Sequence, residues 1–115
     1  MSLRVTSSSS GDQLLLHLNG EMDSHTCDQV PTILAGLLGD VAPTAILIDA
    51  SRLRFVDSSG LSALLRCHRM AADRNASFVM NGPTPAVRRV LEITGLDELL
   101  GRSGSEDGRA ASPGA

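Results

Sequence analysis

The sequence contains no lysine, no tryptophan and no tyrosine, and those absences narrow its partners at once. All ten basic residues are arginines scattered along the chain, and the formal net charge is −3 at pH 7. A nucleic-acid surface needs clustered positive charge and aromatic platforms for the bases. With neither in view, nucleic acid is not an expected partner. No apolar run approaches the roughly 18 residues of a bilayer-spanning helix, so no membrane partner is expected either. No charged segment followed by an apolar stretch of roughly 7–15 residues opens the chain, so a secretory signal is not expected and a cytoplasmic location is. The two cysteines, Cys27 and Cys67, lie far apart without zinc-ligand spacing and read as two buried thiols. No metal and no other cofactor is expected.

What is present is 115 residues with 42% hydrophobic content, enough for one compact domain. Residues 1–101 read as that domain. From Arg102 to Ala115 the composition shifts to Gly, Ser, Ala and charge, with nothing larger than alanine to anchor it. That stretch is expected to be a disordered tail.

Within the domain, β-type and helical patterns alternate. Leu3 to Thr6 and Gln13 to Leu18 read as an antiparallel hairpin joined by Ser7-Ser8-Ser9-Ser10-Gly11-Asp12. Val30, Ile33, Leu34, Leu37 and Leu38 recur at helical spacing, and Gly39 is placed to end that helix. Thr26 with Gln29 fits a capping box, but Pro31 then falls just past the first turn, where it removes a hydrogen bond; a start at Asp28 avoids that cost. The run Ala45-Ile46-Leu47-Ile48 within Thr44 to Ile48 predicts a central strand covered on both faces. A second helix is predicted over Ser59 to Arg74, with Leu61, Leu64, Leu65, His68 and Ala72 inward and Arg66, Arg69 and Asp73 outward. Ser77 to Met80 predicts a fourth strand. Thr84 and Pro85 start a third helix bearing Val87, Val90, Leu91 and Thr94 on one stripe; Gly95 ends it, and Leu96 to Leu100 allows one more turn. The order β-β-α-β-α-β-α predicts an α/β domain, a mixed sheet with helices packed on it.

The most specific chemistry lies in Phe55-Val56-Asp57-Ser58-Ser59-Gly60-Leu61, where a loop enters the second helix. Ser58 or Ser59 is placed to cap the helix, Gly60 to let another backbone approach, and the positive end of the helix dipole to tolerate an anion. The plain reading of these residues is an N-cap and nothing more.

Around this motif the chain resembles the STAS domain family and, within it, the stand-alone anti-sigma factor antagonists. The resemblance spans residues 3 to 100 and rests on Gly20-Glu21-Met22-Asp23, Ile48-Asp49-Ala50-Ser51, Phe55 to Leu61 and Ile93-Thr94-Gly95-Leu96. It implies that Ser58 is the phosphoacceptor for a serine kinase that is itself the anti-sigma factor. The unphosphorylated antagonist binds that kinase and frees a sigma factor; phosphorylation dissociates it until a serine phosphatase restores the serine. By the same resemblance Glu21 and Asp23 lie beside the phosphorylation site and, with Asp57, Ser58, Ser59 and Gly60, form the partner surface.

Two rivals come from other classes. A STAS docking subunit of a signalling or transport assembly would use the same surface without a phosphoswitch. A serine hydrolase would need glycine two residues before Ser58, where Val56 stands; His17 lies in a strand pattern, His68 on an apolar helix face and His25 in a loop. No enzymatic activity and no catalytic residue is expected of the chain.

Overall fold

Alternation of buried and half-buried residues along β2 (Gln13–Met22) gives the sheet one inner face, carrying Leu14, Leu16, Leu18 and Met22. The structure, a computed structural model, describes residues 2–39 and 41–100. The tail expected over 102–115 lies outside them. β1 (Leu3–Ser10) pairs antiparallel with β2 through the two-residue turn Gly11-Asp12. The hairpin therefore runs further than its sequence suggests, because the serines of β1 sit at a sheet edge where polar side chains remain in water.

α1 (Gln29–Leu38) crosses to β3 (Ala45–Val56), and α2 (Ser58–Asp73) crosses from β3 to β4 (Ser77–Asn81). Both crossovers join parallel neighbours, so the four strands lie in the order β1-β2-β3-β4 as a mixed sheet. α3 (Pro85–Thr94) and the short α4 (Asp97–Leu100) complete the domain. The expected α/β order is thus observed, with the predicted last turn as α4.

Three local expectations are corrected. β3 does not stop near Ile48: its polar second half, Asp49 to Val56, pairs with the end of β2 through two register irregularities. Nor is β3 covered on both faces, since Leu47 and Asp49 stay half-buried while Ile46, Ile48 and Ala50 are buried. In α2 the buried stripe is Gly60, Leu61, Ala63, Leu64, Cys67 and Ala71; Leu65 and His68 are half-buried and Ala72 is exposed. The small residues Ala63, Cys67 and Ala71 let this helix lie close against its neighbours and share the inner face with Leu61 and Leu64, leaving Leu65 and His68 at its margin.

The start of α1 is settled at Asp28, whose carbonyl accepts the first helical bond from the Thr32 N–H at 3.2 Å. Pro31 then falls in the first turn, where its missing N–H costs nothing. At α3 the Thr84 hydroxyl accepts from the Val87 N–H at 3.4 Å and donates to the Leu53 carbonyl at 2.8 Å, fastening the helix to β3. Cys27 and Cys67 are both buried and free. Among the described residues no helix is long and apolar enough to cross a membrane.

Candidate functional site at the start of α2

β2 and β3 end side by side, Met22 opposite Val56, and the chain turns directly from β3 into α2. The Asp57 N–H donates to the Met22 carbonyl at 3.1 Å, so the register of the sheet continues into the first residue of the motif. Asp57 is the N-cap, its backbone extended and its carboxylate accepting from the Gly60 N–H at 3.0 Å. The cap is therefore Asp57 and not, as the sequence allows, Ser58 or Ser59. A carboxylate cap also favours the positive helix end. It satisfies only the third amide of the helix; among the described residues the first two amides, on Ser58 and Ser59, and both hydroxyls have no partner. Ser58 is exposed and Ser59 half-buried.

Gly60 is where α2 meets the end of β2. A Cβ there would fall 2.6 Å from Val56 Cγ2, 2.9 Å from Met22 Cβ and 3.0 Å from the Met22 carbonyl oxygen. This is the close approach expected of Gly60, and it fixes the height at which the serines stand above the sheet.

The loop after β2 is held by a residue the sequence reading considered only as a helix cap. Thr26 is 5% exposed. Its hydroxyl donates to the Glu21 carbonyl at 2.7 Å and accepts from the Asp23 N–H at 3.0 Å. Asp23 in turn accepts from the backbone N–H groups of His25 and Thr26, at 2.9 and 3.0 Å. These bonds, that of His25 foremost, hold the Asp23 carboxyl below its ordinary pKa. Glu21 faces elsewhere: its carboxylate takes Arg54 Nη2 at 2.6 Å and the Ser2 N–H at 3.2 Å, and the Arg54 bonds foremost lower its pKa. Glu21 thus braces β2 against β3, whereas Asp23 shapes the loop.

Phe55 stands three residues before Ser58 and is 40% exposed, an aromatic beside a polar motif. Two of the three histidines are engaged away from Ser58. His17 Nδ1 lies 3.0 Å from Asp49 Oδ2, and His68 packs edge-on to Phe78 with ring centroids 5.7 Å apart. His25 is exposed in the loop. Neither the His17 nor the His68 contact gives Ser58 a base.

Comparison with known proteins gives a consistent picture. A family model described as "Mlab, STAS domain" matches residues 5–101. The anti-sigma F factor antagonist of Paenibacillus polymyxa is 26% identical over 100 residues, spanning 87% of this chain and 86% of that protein. The solved structure of the anti-sigma factor antagonist SpoIIAA in its unphosphorylated form is similar with a TM-score of 0.67 at 25% identity, covering 90% of this chain and 91% of that one. The Bacillus cell fate determinant SpoIIAA in the phosphorylated form is similar with a TM-score of 0.60 at 25% identity, covering 91% and 94%.

Proposed function

Because the chain belongs to the STAS domain family, we propose that it is an anti-sigma factor antagonist, binding a serine-kinase anti-sigma factor to release a sigma factor and switched off by phosphorylation at Ser58. The observation that carries this reading is the exposed Ser58 at the first position of a helix whose cap is supplied by its neighbour Asp57. A hydroxyl used as the cap would be turned into the helix. This one faces solvent, within reach of a kinase.

The same geometry accommodates the product. A phosphate carries about −1.5 to −2 charges at neutral pH, and the unclaimed amides of Ser58 and Ser59 at the positive helix end favour it there. The fold survives, and the penalty falls on binding. The partner surface centres on Asp57, Ser58 and Ser59 with the Asp23 loop; Glu21 supports it from behind through Arg54, and Gly60 sets its height by packing on Met22 and Val56. A dianion placed beside Asp57 must be desolvated against a face that fits a hydroxyl. A serine phosphatase resets the switch.

In this reading the chemistry of transfer belongs to the partner; the side chains of His17 and His68 are engaged with Asp49 and Phe78 and do not serve Ser58. The test is to incubate the full chain with magnesium ATP, alone and with its anti-sigma kinase, and to map phosphate by mass spectrometry. Phosphate on Ser58 only when the kinase is present is the expected result. Labelling of the pure protein overturns its assignment as a non-enzyme, and labelling of Ser59 moves the site by one residue. The rival reading, a docking subunit without a switch, draws on the "Mlab" description of the matching family. It predicts no phosphate on Ser58 with any kinase that binds the chain.

A further inference from the structure

On the face of the sheet opposite the helices, the register places Arg4 of β1 beside Asn19 of β2, and Asn19 beside Arg52 of β3. The alignment depends on an irregularity. His17 pairs with Asp49, yet Asn19 pairs with Arg52, so one extra residue of β3 is accommodated within two residues of β2. Without it Ser51 would face Asn19, and Arg52 would point toward the helix side. Bulges re-aim side chains in this way. The result is a groove of about 330 Å³ lined by Arg4, Thr6, His17, Asn19, Asp49 and Arg52.

The charges in this groove are unevenly spent. Asp49 uses both oxygens locally: Oδ2 lies 3.0 Å from His17 Nδ1, and Oδ1 accepts from the Ser51 N–H and hydroxyl at 3.0 and 2.7 Å. The ion pairs of the described residues are His17 with Asp49, Arg54 with Glu21 and Arg66 with Asp28. Arg4 and Arg52 therefore face one concavity with no carboxylate partner among the described residues. Around them stand a hydroxyl, an amide, an imidazole and the Asp49 carboxylate, the last already bonded to His17 and Ser51.

We propose that this groove binds a small phosphate monoester, its phosphoryl group held over Asn19 between the Arg4 and Arg52 guanidiniums. Two planar donor forks approaching from strands on either side of Asn19 suit a tetrahedral group with several oxygens and more than one charge. A planar carboxylate is satisfied by one fork. The volume lies near the lower end for small-molecule sites, and the lining offers no Phe, Tyr or Trp ring for stacking a base. The remainder of the ligand is accordingly polar and compact, of sugar-phosphate size. Thr6 and Asn19 are placed to bond its hydroxyls.

The test is an amide NMR titration of the full chain with inorganic phosphate, glucose 6-phosphate and malonate, at fixed pH and at ionic strength held constant with sodium chloride. The expected result is saturable shifts at Thr6, Asn19 and Arg52 with both phosphates. Binding should weaken at least about tenfold in Arg52→Gln and in Arg4→Gln, and stay unchanged in Arg69→Gln on the exposed side of α2. Both test arginines are exposed, and thermal melts establish that the variants fold. Shifts that never saturate, or that persist undiminished in both variants, overturn the site. Malonate binding as tightly as phosphate overturns the assignment of the ligand class.

Discussion

Gly60 and Met22 approach so closely that a methyl group on the glycine would stand 2.9 Å from the methionine Cβ, with Val56 Cγ2 nearer still at 2.6 Å. The neighbours are a buried strand end and a β-branched side chain, so neither yields easily. Gly60→Ala should therefore lose about 1–3 kcal/mol of stability, the usual cost of overpacking, although alanine is the better helix former. Ser62→Ala, at an exposed position of the same helix, should stay within about 0.5 kcal/mol of the parent. Urea unfolding of both variants decides it: an unchanged midpoint for Gly60→Ala would show that α2 shifts without cost.

The cap is open to a similar comparison. Asp57→Ala removes the acceptor of the Gly60 N–H and should cost about 0.5–2 kcal/mol, whereas Asp57→Asn keeps an oxygen there and should recover most of it. If alanine and asparagine unfold at the same urea concentration, the carboxylate does not act as a cap.

Much of this fold is legible in the sequence because periodicity reports burial. The apolar run at Ala45 to Ile48, the stripe Val87, Val90, Leu91 of α3 and the Thr84-Pro85 start were all readable on that ground. The second half of β3 was not. Asp49, Ser51, Arg52 and Arg54 are strand residues on a face without helices, where nothing selects apolar side chains, and the irregular register breaks the alternation. The inner face of α2 was misread for a related reason: close packing favours Ala63, Cys67 and Ala71, whose small size weakens the hydrophobic signal. At the site, the motif gave the position of Ser58. The placement of Asp57 depends on Met22, which comes from a distant part of the chain, and the bracket made by Thr26 is a side-chain bond to the Glu21 carbonyl five residues back, which leaves no hydrophobic period to read.

The acid limb of stability should depend on Asp49. Bonds from the Ser51 hydroxyl, then from His17, then from the Ser51 N–H hold its carboxyl below the 3.8 of the unfolded chain. A lowered folded pKa means stability that is present above about pH 4 and is lost as the pH falls through the folded value. Asp49→Asn should therefore be less stable than the parent near neutrality, with the difference narrowing below about pH 4. A difference independent of pH between about 3 and 7 would show that the carboxylate charge contributes nothing.

At the alkaline end the sequence makes the thiols unusually visible, because lysine and tyrosine, which ordinarily titrate there, are absent. Burial pushes the Cys67 thiol from 9.0 up to about 12, and burial foremost, then Asp28, also raises Cys27. The raised folded values favour the protonated fold, so stability is fully present below about pH 9 and declines as the pH rises toward 12. The Cys27→Ala, Cys67→Ala double variant should show a flatter profile over that range, even if cavities lower it overall. Cys67 in the native chain should also resist a maleimide at neutral pH. Rapid labelling without unfolding would contradict its burial.

The partner switch itself is tested by affinity. Phosphorylated Ser58 removes a hydroxyl contact from the centre of the proposed surface and leaves a dianion beside the Asp57 carboxylate. Losing a well-placed contact and burying an unpaired charge costs about 2–5 kcal/mol, roughly thirty- to several-thousand-fold in affinity. Ser58→Asp should thus fold like the parent, because its charge lies at the positive end of α2, and bind the kinase much more weakly. Ser58→Ala should bind well and resist being switched off. Calorimetric titration of the parent, its phosphorylated form and both variants against the kinase measures each term, and thermal melts establish that all four are folded. Weak binding by the phosphorylated chain with an intact melt locates the switch at the interface. A lowered melting temperature on phosphorylation would place it in the fold instead, and equal affinity of the parent and phosphorylated chains would leave docking without a switch as the function of this surface.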